Sequence, residues 1–222
     1  MTLPYRWLGA ALAAAVLLGA CGRSSGLPAQ HAIAIPGDAV SASCGMRIAG
    51  SPGPRGEVWV EGHSAPLMFG STRDLLAYMV QPDNKATLQH AFVQDSARID
   101  WTHPSSAAQS FVAARQAYYV AWQDRAGSMG PTFASFARSR DAQAFRAAHG
   151  GVVLRFAQIT PDVVSLLSYR CPPAGSPVGA VARQCVGAPA GAATPAGATP
   201  GDGSMAMGGA MAMGGAAGPA RH

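Results

Sequence analysis

The sequence predicts an α+β protein with mainly antiparallel sheet, built as two tandem strand-strand-helix-strand units and followed by a disordered C-terminal tail. Three observations carry that expectation. Of the 16 aromatic residues, 14 fall between Trp59 and Tyr169, so a single core of roughly residues 40–170 is expected. Within it, Phe69-Gly-Ser-Thr-Arg73-Asp74-Leu-Leu-Ala77-Tyr78 lies without a gap over Phe136-Ala-Arg-Ser-Arg140-Asp141-Ala-Gln-Ala144-Phe145, at an offset of 67 residues and with four identities. Beyond it, residues 171–222 hold 34 Ala, Gly or Pro in 52 positions and no aromatic residue. A segment without large apolar groups cannot offset the entropy of ordering its backbone.

The elements follow in order. Residues 57–60 read as a strand, 61–64 as a turn and 66–69 as a second strand. A helix starts at Ser71 as N-cap with Asp74 three residues on, shows Leu75, Leu76 and Met79 as its apolar stripe, and stops at Pro82. Residues 86–94 and 98–101 complete the first unit, about 43–103, as strands. The second unit, about 111–165, repeats the plan. A strand over 117–123 leads to a glycine-containing turn over 125–131, and 132–136 returns as a strand. The helix Ser139–His149 is ended by Gly150-Gly151, and 152–156 closes the unit as a strand. The same offset places Met129 over Gly62, in the hairpin loop of the second unit. A thioether in a Gly-flanked turn is odd, because Met normally fills core gaps.

The amino terminus reads as an address. Residues 1–20 carry Arg6 and then a short apolar run, the pattern of a secretory signal and shorter than the ~20 residues of a bilayer span. The run ends Leu18-Gly19-Ala20-Cys21, which resembles a bacterial lipoprotein box with Cys21 as the lipid-bearing residue. The alternative is an ordinary signal peptide with an incidental Cys. Gly22 after the Cys resembles outer-membrane rather than inner-membrane sorting, so a periplasmic, lipid-anchored position is expected. Residues 21–39 then read as a tether.

Composition excludes several classes. About 130 core residues leave no room for a large multidomain enzyme, and no multi-span membrane pattern exists. The net charge of +5 comes from 15 Arg and one Lys scattered without a stripe, so no nucleic-acid partner is expected. His63, His90, His103 and His149 show no close ligand spacing, which leaves a zinc site unsupported. Glu57 and Glu61 read as a solvated strand face. In an exported chain, Cys171 and Cys185 could pair or stand as spectators, and Cys44 is the odd thiol.

The remaining chemistry is soft. Cys44-Gly45-Met46 precedes a Pro/Gly-rich stretch, and in an extended backbone residues two apart point the same way. Thiolate with thioether selects Cu(I) over harder ions. Alone, the pair also reads as a small buried hydrophobe beside a core filler. Met129 adds a second exposed thioether on an element able to close over Cys44. Four more, Met205, Met207, Met211 and Met213, lie within nine residues of the tail and read either as an auxiliary copper-collecting arm or as low-complexity drift. A separate class stays open: a thiol-dependent enzyme, a lyase or transferase, with Cys44 as nucleophile. That needs a base or cation to activate the thiol, and Arg47 is the one candidate nearby in sequence.

Cys44-Gly45-Met46, the segment Ser128-Met129-Gly130-Pro131-Thr-Phe133-Ala134, and Ala142-Gln-Ala-Phe145 leading to His149-Gly150-Gly151 together resemble the nitrous-oxide reductase accessory protein family (NosL). The resemblance covers about residues 43–156. It implies an exported, lipid-anchored Cu(I) metallochaperone, not an enzyme, serving assembly of the copper–sulfide centre of nitrous-oxide reductase in denitrification. It implies Cys44, Met46 and Met129 as metal ligands. Implied partners are the reductase and its membrane ABC-type maturation complex.

Overall fold

Residues 31–187 are described by the structure, a computed structural model of the chain. Strands β1 (Gly56–Val60), β2 (Leu67–Phe69), β3 (Leu88–Gln94) and β4 (Phe111–Ala113) form one antiparallel sheet in the order β2-β1-β3-β4. Strands β5 (Tyr118–Ala121), β8 (Ala134–Phe136) and β9 (Val152–Arg155) form a second, in the order β8-β5-β9. Between β5 and β8, β6 (Ala126–Gly127) and β7 (Gly130–Pro131) pair as a separate hairpin. The helices are α1 (Thr72–Val80), α2 (Ser139–His149), α3 (Pro161–Ser165) and α4 (Gly179–Ala182). Among the described residues no helix is long and apolar enough to cross a membrane.

Helix α1 begins where the sequence expects it. Ser71 is extended and its hydroxyl accepts the Asp74 N–H at 3.1 Å, satisfying one of the orphan donors of the first turn. The helix stops at Gln81, since Pro82 has no N–H to continue the ladder. Helix α2 ends on Gly150 at φ +73°, a conformation that costs glycine little.

The strand register exposes how the repeat was built. Val58 pairs with Leu67 and Ala91, while Val120 pairs with Ala134 and Val153. First and third strands are thus offset by 62 residues, and the second strand and helix by 67. The second unit carries five extra residues between its first two strands and five fewer after its helix. The 67-residue offset therefore holds from Leu67 through the helix and gives way to 62 at the first strand, so the five extra residues fall between β1 and β2 of the plan, in the connection that carries Met129. The extra residues enlarge the connection that forms the β6–β7 hairpin.

Each sheet has two covered faces. Val58, Val60, Phe69 and Val93 pack on Leu75, Leu76 and Met79 of α1, in a cluster that also takes Tyr119, Ala121, Val152 and Leu154 from the second sheet. Val120, Ala134 and Phe136 turn the other way, onto Ala142 and Phe145 of α2. The opposite face of the first sheet, with Met68 and Phe92, is covered by Ile35 and Ile48 of an N-terminal strap over residues 32–48.

Four expectations change here. Ile35 is buried, so the chain joins the fold well before the expected end of the tether at residue 39. Residues 98–101 are bends rather than a strand, because Asp95 turns the chain by accepting the Ala97 N–H on its carboxylate and the Arg98 N–H on its carbonyl. Glu57 is not on a solvated face: it is 0% exposed, under the strap. The fold continues past Arg170, with Val178 and Ala182 buried in the main cluster and Cys171 bonded to Cys185.

Candidate metal centre

Cys44 lies at the tip of a tight loop in the strap. An isolated bridge joins Val40 to Arg47, the Ser41 N–H donates to the Met46 carbonyl at 2.8 Å, and the Gly45 N–H donates to the Ser41 carbonyl at 2.7 Å. Gly45 has φ +71°, so Cys44-Gly45-Met46 is a turn and not the extended run expected from sequence. Both sulfur side chains nevertheless face out. Cys44 is an exposed free thiol and Met46 is 48% exposed.

The loop hangs on the start of α1. The Ala42 N–H donates to the Met68 carbonyl, and the Gly70 N–H donates to the Ser41 hydroxyl at 3.2 Å. The Ser41 and Ser43 hydroxyls share a bond of 2.9 Å, and Ser43 donates on to Asp74 at 3.3 Å. A serine ladder therefore runs from the helix cap to the residue before Cys44.

Met129 occupies the two-residue tip, Ser128-Met129, of the β6–β7 hairpin and is 51% exposed. The hairpin's root is held from inside. Gln123 is 1% exposed; its amide nitrogen donates to the Arg125 and Thr132 carbonyls at 2.8 and 2.9 Å, and its oxygen accepts the Arg125 N–H. Trp101 donates to the Ala126 carbonyl at 2.7 Å, and the Arg125 guanidinium lies 4.8 Å above the same ring. Exposed thioether, clamped backbone: a rigid mount.

The two loops converge on Gly70 and the first turn of α1. A Cβ built on Gly70 would lie 3.2 Å from the Ser128 hydroxyl and 3.9 Å from the Ser41 Cβ. The Arg73 N–H donates to the Thr132 hydroxyl, and Asp74 and Met129 line one groove of about 360 Å³. The structure thus sets Cys44, Met46 and Met129 on loops anchored to one short stretch of chain, Met68–Asp74. Sequence reasoning missed Ser41, Ser43, Gly70, Gln123 and Thr132, which position those loops. Only the Gly-Ser pairs at 70–71 and 127–128 hinted at close approach.

The chemistry on offer is sulfur. Among the described residues no three His, Cys, Asp or Glu cluster to hold a metal ion, and the exposed soft donors on these two loops are Cys44, Met46 and Met129. One thiolate neutralises a monovalent cation, and thioethers add donors without adding charge. His149 is engaged elsewhere, its Nδ1 2.9 Å from Asp124 at the end of α2. Cys21, Met205, Met207, Met211 and Met213 lie outside the described residues.

The strap that carries the loop rests on an unusual group. The Ile33 N–H donates to one Glu57 oxygen at 3.0 Å, while the other oxygen is buried without a partner. Burial pushes the Glu57 carboxyl up to about 7, outweighing the Ile33 N–H, which pulls the other way.

Comparisons with known proteins give the chain a family and named relatives. The NosL family model matches residues 32–164. The chain is 39% identical over 116 residues to the copper-binding lipoprotein NosL of Stutzerimonas stutzeri, across 52% of this chain and 59% of that protein. It is 36% identical over 124 residues to the copper-binding lipoprotein NosL of Achromobacter cycloclastes, across 54% and 63%. The matched stretch is therefore about three fifths of those relatives' length. The crystal structure of the copper chaperone NosL from Shewanella denitrificans superposes with a TM-score of 0.57 at 34% identity, covering 60% of this chain and 98% of that one.

Proposed function

The chain belongs to the NosL family, and from that premise we propose that it is an exported, lipid-anchored chaperone that carries one Cu(I) on Cys44, Met46 and Met129. The observation that carries the proposal is the convergence of the Cys44 loop and the Met129 hairpin on Gly70–Asp74, with both tips exposed. Copper is cargo here. It enters and leaves by ligand exchange, with no change of oxidation state. An open set of three sulfurs suits that, since an acceptor thiolate approaches the metal before the protein's own bonds break. Asp74 beside the loop adds negative potential that favours a cation.

The acceptor is the assembly line of the copper–sulfide centre of nitrous-oxide reductase, reached through a membrane ABC-type maturation complex. Cys21 carries the lipid, and the protein works from the periplasmic face, on the outer membrane rather than the inner. The name of each relative, a copper-binding lipoprotein or a copper chaperone, supports this reading and not a thiol enzyme. So does the site. The side chains hydrogen-bonded within the Cys44 loop are Ser41, Ser43 and Asp74, with no histidine among them to take the thiol proton.

Anaerobic native mass spectrometry of the full chain with stoichiometric Cu(I) tests the proposal. One copper held per folded chain is expected. A chain that leaves the metal in solution overturns it.

A further inference from the structure

Glu57 takes no part in the three-sulfur centre, yet the fold leaves it no exposed surface. Arg55, Glu57 and Trp59 follow at alternate positions into and along β1, so their side chains share a face. Each buries one polar atom without a partner: the Arg55 Nε, one Glu57 oxygen and the Trp59 Nε1. Pairing sets Glu57 between Met68 of β2 and Phe92 of β3, and Ile35 and Ile48 of the strap join those two side chains in one apolar cluster. Such a face gives its cover little grip, because each unmet atom has given up water without gaining a bond.

Few bonds hold down the first residues of the strap. The Ile33 N–H donates to Glu57 at 3.0 Å and the Ile35 N–H to the Ser106 carbonyl at 2.9 Å. The charged or titratable groups on the elements around Glu57 are His31, Asp38 and Arg47 on and beside the strap, Arg55 before β1, His90 on β3 and His103 on the loop of Ser106; β2 and β4 carry none. Among the described residues none of these forms an ion pair with Glu57. The Arg55 guanidinium instead donates to the Ser106 hydroxyl and the Ser51 carbonyl, at 3.3 Å each. An ionised Glu57 would therefore lie dry without a counter-charge, and burial accordingly raises its pKa from 4.5 to about 7.

We propose that Glu57 is a proton-operated latch on the strap: protonated, it lies dry against the Ile33 N–H; ionised, it draws in water and lifts the strap from β1, which loosens the Cys44–Met46 loop and speeds copper release. The coupling runs through the apolar cluster. Ile48 stands two residues after Met46, and the Met68 carbonyl accepts the Ala42 N–H that seats the loop. Lifting Ile35 uncovers both Ile48 and Met68, on which the two ends of the loop rest. The step moves one proton from the carboxyl to bulk water and no electron. Its sign follows from the raised pKa: the closed strap is favoured fully below about pH 4.5, and that advantage is lost as pH rises through about 7. The latch stands without copper; its effect on release rests on the three-sulfur reading.

Hydrogen–deuterium exchange of the metal-free full chain at about pH 5 and about pH 8, corrected for the intrinsic pH dependence of exchange, reads the latch by mass spectrometry. Peptides within residues 31–48 are expected to exchange ahead of those of β5 and β9, and their opening to grow on the order of fiftyfold between the two pH values. In Glu57→Gln that growth should vanish. Strap peptides that exchange in step with β5 and β9 mean that the fold opens as a whole, and growth that persists in Glu57→Gln assigns it to another group; either result overturns the latch. A second arm loads one Cu(I) anaerobically. The parent is expected to lose it to a chelator roughly tenfold faster than Glu57→Gln at about pH 8, and at the same rate at about pH 5. Competition between protons and copper for the Cys44 sulfur is common to both proteins, so their ratio cancels it. Equal rates at both pH values would overturn the link from strap to copper. A parent that holds no Cu(I) at either pH while its strap still opens would sink the three-sulfur reading and leave the latch standing.

Discussion

Changing Glu57 to Gln removes a buried ionisation that works against the strap carrying Cys44 and Met46. The carboxyl lies in β1 with no exposed surface, one oxygen bound to the Ile33 N–H and the other without a partner. Burial raises its pKa from 4.5 to about 7. The sign follows directly. The unfolded chain releases this proton first, so the stability contributed by the protonated group is complete below about pH 4.5, falls as pH rises, and is lost above about 7. A shift of that size corresponds to a loss of roughly 3 kcal/mol. Gln keeps the acceptor for Ile33 and does not titrate, so it mimics the protonated acid. Urea unfolding of both proteins from pH 4 to 9 reads the difference. The two should be nearly equally stable at the acid end, with the variant ahead by about 2–3 kcal/mol above neutrality. Parallel curves across that range would refute the argument, because they would mean that Glu57 ionises without cost in the fold.

Two further outcomes follow from the same geometry. Gln123→Leu leaves the Arg125 and Thr132 carbonyls at the hairpin root without their amide donor, at a cost of roughly 2–3 kcal/mol in denaturant unfolding, and the freed hairpin should also hold Cu(I) less tightly in chelator competition. Changing Cys171 and Cys185 together to Ser opens a loop of 14 residues, for which about 3 kcal/mol of stability should be lost in thermal unfolding without loss of the Cu(I) stoichiometry seen by native mass spectrometry.

The candidate centre drew notice in the sequence through Met129, a thioether out of place in a Gly-flanked turn. The Cys44-Gly45-Met46 triplet alone read equally as a buried hydrophobe beside a core filler, and it is the structure that leaves Cys44, Met46 and Met129 exposed. Helix α1 was legible from its cap and Pro82, and α2 from Gly150. What escaped was non-local. Glu57-Val58-Trp59-Val60 alternates as a polar-out strand should, and only the strap, arriving from residues 32–48, turns the polar face into an interior one. A single offset could not span the whole repeat, because a five-residue gain before β8 and a five-residue loss after α2 cancel in length. Residues 171–187 looked structureless by composition, and the Cys171–Cys185 bond holds them where Val178 and Ala182 can join the main cluster. Gln123 gave no signal, since a glutamine that clamps two carbonyls looks like any surface polar residue until the hairpin closes around it.

The central claim is that Cu(I) is held by one thiolate on the strap loop and two thioethers, one of them on the hairpin. Competition against a Cu(I) chelator under anaerobic conditions, run on Cys44→Ser, Met129→Ala and Met46→Ala beside the parent chain, tests it most directly. Only Cys44 supplies both charge and strong donation, so its loss should abolish tight binding. Met129→Ala should weaken retention substantially and Met46→Ala more mildly, with all three proteins folded, since Cys44 is exposed and neither Met belongs to the core. A Cys44→Ser protein that competes as well as the parent would place the copper elsewhere and contradict the account.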